Sequence, residues 1–91
     1  MYAVVGKVNI QPGREDESLE FLKANVLPMV KQAPGIVAGY WLAPQGGQGL
    51  GITFFESEEA ARQAVEMAQK GPRPDYVTWD SIDAREVIAQ I

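Results

Sequence analysis

The segment Pro34-Gly35-Ile36-Val37-Ala38-Gly39-Tyr40-Trp41-Leu42 constrains the fold more than any other part of the chain. Proline has no amide hydrogen and glycine tolerates positive φ, so this pair stops a helix and turns the backbone. The residues after it carry no charge and include adjacent aromatics, a composition suited to a strand. A helix must therefore end here and a strand begin. Alternation assigns Ile36, Ala38, Tyr40 and Leu42 to one face and Val37, Gly39 and Trp41 to the other. We expect the first set to face the interior of the subunit and the second to face away.

Upstream, Tyr2 to Ile10 is β-rich and partly apolar on both faces, so it predicts a strand covered on both sides. Gln11-Pro12-Gly13 is a turn. Glu15, Asp16 and Glu17 then place negative charge where the first turn of a helix has free N–H groups. Leu19, Leu22, Val26, Met29 and Val30 recur at helical spacing as its buried stripe, with Phe21 beside it. Pro28 inside this pattern predicts a kink, or a helix that finishes near Val26 with a short turn to Gln32.

Downstream, Pro44 to Gly49 predicts a flexible hairpin connection, and Leu50 to Glu56 a third strand. Ser57 is a natural N-cap, followed by Glu58 and Glu59. The second helix reaches about Lys70, burying Ala60, Ala61, Ala64, Val65 and Ala68, and Gly71 ends it. Asp75 to Asp80 reads as a loop, and Ile82 to Ile91 as the last strand. The order β-α-β-β-α-β predicts one α+β domain over residues 1–91. It is ferredoxin-like, with a four-stranded antiparallel sheet and two helices on one face.

The helices leave the second sheet face uncovered, and every strand has apolar residues on both sides. That much apolar sheet is unusual in water. A homodimer joined sheet to sheet accounts for it, with Val5, Lys7, Val37, Trp41, Ile52 and Phe54 at the interface. Lys7 and Asn9 would be satisfied there, with Arg85 or Glu86 of the last strand.

Composition narrows the chemistry. The 91 residues carry a net charge of -4 and no histidine or cysteine. An acidic chain without a basic run is a poor partner for nucleic acid or an anionic membrane. Without histidine, the commonest general base and metal ligand is absent, and without cysteine there is no thiolate nucleophile. No stretch approaches the length of a membrane span, and the N-terminus does not read as a signal peptide. These features suit a cytoplasmic protein. The glycine-rich run Gly46 to Gly51 leads into a strand, whereas a phosphate-cradling loop leads into a helix, so nucleotide binding is discounted.

Three stretches carry a family resemblance. Gln11-Pro12-Gly13 before an acidic helix, Pro34-Gly35-Ile36 opening a strand, and Thr53-Phe54-Phe55-Glu56-Ser57-Glu58-Glu59-Ala60 entering a helix resemble the antibiotic-biosynthesis-monooxygenase-like group. The resemblance covers nearly the whole chain and implies a dimeric α+β barrel with a pocket between sheet and helices in each subunit. Tyr2, Tyr40, Thr53 and Phe55 then become pocket candidates, beside Val4, with Trp79 and Tyr76 as a lid on the last loop. The competing assignment is plain core packing and a pinned loop.

Relatives in that superfamily that degrade haem carry an Asn on the first strand where this chain has Gly6. They have a Trp where it has Phe55, and a proximal His with no counterpart here. The resemblance therefore implies no haem chemistry and no cofactor. It leaves two functions open. One is a cofactor-independent monooxygenase acting on a small aromatic or quinol-type molecule. The alternative is a non-catalytic dimeric small-molecule-binding or structural module.

Overall fold

A computed structural model describes every residue from Met1 to Ile91. Strand β1 (Tyr2–Ile10) leads to a continuous helix in three parts: α1 (Glu15–Phe21), a π-helical stretch (Leu22–Val26) and α2 (Leu27–Lys31). Then come β2 (Ile36–Gln45), β3 (Gln48–Phe55), α3 (Glu58–Lys70) and β4 (Val77–Glu86). The strands form one antiparallel sheet in the order β2-β3-β1-β4. This is the ferredoxin-like α+β arrangement expected from the sequence.

The first helix does not finish at Val26. Instead it widens. The Leu27 amide donates to the Leu22 carbonyl, five residues back, and Pro28 falls in the first turn of α2. In a regular α-helix the Pro28 ring would press on the Ala24 carbonyl and leave it without a donor. One π turn shifts the register ahead of the proline and lets the helix continue. The Asn25 side-chain amide donates to the Phe21 carbonyl at 3.3 Å, serving an acceptor inside the widened turn.

The hairpin is tighter than expected. Gly46 and Gly47 alone connect β2 to β3, with φ of 59° and 77°. Two successive positive φ angles make a type I′ turn, whose twist matches that of paired strands. The last strand starts earlier than the sequence suggests and stops at Glu86. Tyr76 immediately precedes it, and Trp79 lies within it. Trp79 is thus fixed on β4 and not carried on a loop, as either a lid or a pinned loop would have it.

Both edge strands carry an extra residue. On β2, Ile36 pairs with Phe55 but Ala38 pairs with Phe54, so Val37 is inserted. A second irregularity between Leu42 and Gln45 accommodates Pro44, which can sit at a bulge on an edge strand. On β4, Lys7 faces Ser81 while Val8 faces Trp79, so Asp80 is the inserted residue. Each insertion moves later side chains to the opposite face.

Few residues are truly buried. Val4, Phe55 and Ala61 form the main core, with Tyr2, Ile36, Ala60, Ala64 and Val65 among the residues packed around it. Ile10 and Val77 are buried at the other end of the sheet. Helix α3 lies directly on β1, β3 and β4, while the first helix stands off the sheet. Ser57 caps α3, accepting from the Ala60 amide at 3.2 Å. No helix is long and apolar enough to cross a membrane.

Candidate functional site

The space beneath the first helix is a cavity of about 530 Å³. Its helical wall comes from Leu19, Leu22, Val26, Met29 and Val30, the stripe read from the sequence. Its floor is the inner face of the sheet. That floor is built largely of glycine: Gly6 on β1 pairs with Gly51 on β3, Val8 with Gly49, and Gly39 on β2 with Thr53. Missing side chains at the centre of the sheet make the hollow.

Two indoles lie on this floor. A Cβ added to Gly51 would meet Trp41 Nε1 at 2.7 Å, and one added to Gly39 would meet Trp41 Cζ3 at 2.9 Å. One added to Gly6 would meet Trp79 Cζ3 at 3.0 Å. Both rings border the cavity. Neither indole N–H has a protein acceptor, and neither ring stacks on another aromatic side chain. Thr53 also lines the space, and Glu15, Asp16, Ser18 and Arg73 supply further polar side chains.

The structure redistributes the expected site residues. Thr53, Phe55 and Trp79 line the cavity, although Phe55 is 1% exposed and acts mainly as core. Tyr2 lies at the far end, paired with Phe55 and Glu86, and contributes nothing to the lining. Its phenol is held above the ordinary value of 10.0, first by a hydrogen bond with Glu58, then by partial desolvation and the charge of Glu86. Tyr40 is on the opposite face, 60% exposed, edge-on to Phe54. Trp41 is on the inner face, not the outer one.

The inversion of Tyr40 and Trp41 has a single cause. Val37 is inserted at the start of β2, so simple alternation fails after Ile36. Ala38, Tyr40 and Leu42 turn outward while Gly39 and Trp41 turn inward. The signal available in the sequence was the matching glycines, Gly39, Gly49 and Gly51, whose even spacing marks a face short of side chains.

The outer face carries Val5, Ile52 and Phe54 together with Lys7, as expected. Tyr40 and Leu42 extend the apolar patch on β2, and Val37 is 54% exposed at its edge. Within one chain, Arg85 and Glu86 have other partners than Lys7 and Asn9. Arg85 pairs with Asp83 at 3.2 Å, and Glu86 is opposite Tyr2.

Elsewhere, Tyr76 receives the Arg14 guanidinium 4.1 Å above its ring. Arg14 also donates twice to Glu17, at 2.6 and 2.8 Å, holding that carboxyl below its usual range. This pins the loop before β4 to the start of α1.

No protein-family model matches the chain. No curated protein matches it either. Solved structures do share its fold. It is similar to MhuD, the haem degrader of Mycobacterium tuberculosis, described with two haems in its active site. The two share 21% identity over 100% of this chain and 99% of that one, with a TM-score of 0.76. A crystal structure of an antibiotic biosynthesis monooxygenase matches at 18% identity, 98% and 100% coverage and a TM-score of 0.60. HapK from Hahella chejuensis matches at 8% identity, 99% and 95% coverage and a TM-score of 0.67. The chain thus has the antibiotic-biosynthesis-monooxygenase-like fold.

A haem does not suit these residues. The lining holds no imidazole, thiolate or phenol for an iron, only the thioethers of Met29 and Met67 and the carboxylates of Glu15 and Asp16. The ring of Trp79 also stands where a side chain at position 6 would project.

Proposed function

We propose that this protein is a homodimer whose inner cavity binds a small, flat, largely apolar aromatic molecule without metal coordination. The observation that carries the reading is the roughly 530 Å³ hollow bordered by two indoles with no aromatic neighbour. Sites of this size lined mainly by apolar and aromatic groups are typical of small-molecule pockets. A cytoplasmic location goes with it, since a chain without cysteine needs no oxidising compartment.

Cofactor-independent oxygenation is the second reading, favoured by the likeness to an antibiotic biosynthesis monooxygenase. A ring-activated CH₂ would become a carbonyl. Its two C–H bonds break, one atom of O₂ is retained, and the other leaves as water with both hydrogens. The carbanion of the substrate would supply the electrons, and O₂ is the oxidant. Of the hydroxyl-bearing pocket candidates Tyr2, Tyr40 and Thr53, which such a step would need to orient or deprotonate a substrate, only Thr53 lines the cavity. Binding is therefore the better-supported function.

Calorimetric titration with a panel of polycyclic phenols, hydroquinones and anthrones, the last carrying a ring-activated CH₂, tests the first reading, and an oxygen electrode on the same mixtures tests the second. We expect micromolar binding and no oxygen uptake above the uncatalysed rate. Absence of binding up to millimolar ligand overturns the binding reading. Stoichiometric oxygen consumption establishes the enzyme.

A further inference from the structure

We infer that Trp41 is the principal ligand-stacking surface of the cavity, and that Gly39 and Gly51 are specificity-determining residues that set the depth of the site by letting its indole lie flat. The inference rests on the binding reading above and names the residues that would decide which ligands fit.

The indole spans two strands. Its benzene edge lies over Gly39, with Cζ3 and Cη2 at 2.9 and 3.0 Å from a Cβ placed there. Its pyrrole edge lies over Gly51 of the neighbouring strand, with Nε1 and Cδ1 at 2.7 and 2.8 Å from a Cβ placed there. Carbon atoms pack at about 3.5–4.0 Å, so any side chain at either position must lift the ring by about 1 Å toward the first helix. The ring cannot absorb this by bending, because an indole is rigid and its Cα is fixed in a paired strand opposite Gly51. Thr53 Cγ2, 3.2 Å from the same Gly39 position, closes the floor on that side.

The exposed parts of this indole have no protein partner. Its N–H donates to nothing in the chain, and no ring packs on its face. Trp41 is half-buried and its N–H is open to solvent, so a face and a donor are available to whatever enters the cavity. The geometry suits a fused-ring ligand lying parallel to the sheet, with an oxygen at its rim to accept from Nε1. Trp79, laid on Gly6 across the sheet, widens the same wall rather than facing it. The ligand therefore stacks on one surface and is not sandwiched between two rings. Depth, the distance from the indole plane to the stripe of Leu22, Val26 and Met29, is then the dimension that selects.

The test uses two probes of similar outline and different thickness, flat 2-naphthol and its fully saturated, puckered analogue trans-decahydro-2-naphthol, titrated by calorimetry into the purified full chain. In Gly51→Ala, whose circular dichroism should match the parent, we expect affinity for the puckered probe to fall at least tenfold while the flat probe changes less than threefold. Trp41→Leu leaves the seat intact and should weaken both probes at least tenfold. It stands as the independent variant should Gly51→Ala fail to fold. Equal changes for both probes in Gly51→Ala, or unchanged binding in Trp41→Leu, overturn the inference while the cavity remains a binding site. If the unmodified chain binds neither probe, the binding reading falls and takes this one with it.

Discussion

Gly35 and Gly13 look alike in the sequence, each following a proline, but the structure gives them unequal tasks. Both have positive φ, 77° and 83°. A Cβ at Gly13 would meet nothing, whereas one at Gly35 would stand 2.9 Å from the Cβ of Ala60, with no flexible side chain to yield. The Gly35 carbonyl also accepts from the Glu56 amide at 2.9 Å, tying the start of β2 to the end of β3. Gly13→Ala should cost only the left-handed strain, about 1–2 kcal/mol. Gly35→Ala adds overpacking of about 1–3 kcal/mol to that strain. Urea midpoints at unchanged slope would measure the difference, and equal losses would show that Ala60 and α3 move aside freely. Several single residues were legible in advance for similar local reasons. Ser57 as N-cap and the small residues of α3 follow from capping and close helix-to-sheet approach. Tyr2 was not, because its neighbour Glu58 is remote in sequence.

Among the elements, those whose periodicity is uninterrupted came through with their faces intact, and those with an inserted residue did not. β1 and β3 carry regular alternation and pair over eight positions without a break. β2 and β4 are edge strands with bulges, and there the expected faces or limits were wrong. A bulge leaves no mark in composition. Val37 is an ordinary β-former, and its insertion is visible only in the change of partner from Phe55 to Phe54. The same holds for the π turn, where Pro28 signals a disturbance but not whether the helix breaks or widens. The bulge yields a direct test. Deleting Val37 should join Ile36 to Ala38 in regular pairing and leave Trp41 on the inner face. In a Trp79→Phe background the Trp41 emission maximum should then stay where it is, with a stability change within about 1–3 kcal/mol, the usual span for single changes. A shift of the emission to that of fully hydrated Trp would mean that the strand slips by one residue, and the bulge assignment would fail.

For the whole molecule, the decisive fact is how little one chain buries: 6 of its 91 residues. The two deficits lie on opposite sides of one sheet. On the inner side the glycine floor leaves a hollow, which a small molecule could fill. On the outer side Val5, Ile52, Phe54, Tyr40 and Leu42 share one apolar face, with Tyr40 60% and Leu42 51% exposed, which another sheet-sized surface could cover. The sequence revealed that both faces are apolar but could not say which aromatic belongs to which. Since one chain supplies both the floor and the helical wall of the cavity, the two deficits should be separable. Phe54→Asp places a charge at the centre of the outer patch. Burying it unpaired costs about 3–5 kcal/mol for each copy, so the dimer dissociation constant should rise by at least roughly a hundredfold. Sedimentation equilibrium would read this as a fall from twice the chain mass to the chain mass at micromolar concentration. The thermal midpoint of the parent should rise with protein concentration, as mass action requires of a dimer, and that dependence should vanish in the variant. The monomeric variant should still bind 2-naphthol, because its indoles lie on the other side of the sheet. A parent that sediments as a monomer, with a midpoint independent of concentration, would leave the outer surface without an occupant and end the dimer reading, whatever the cavity binds.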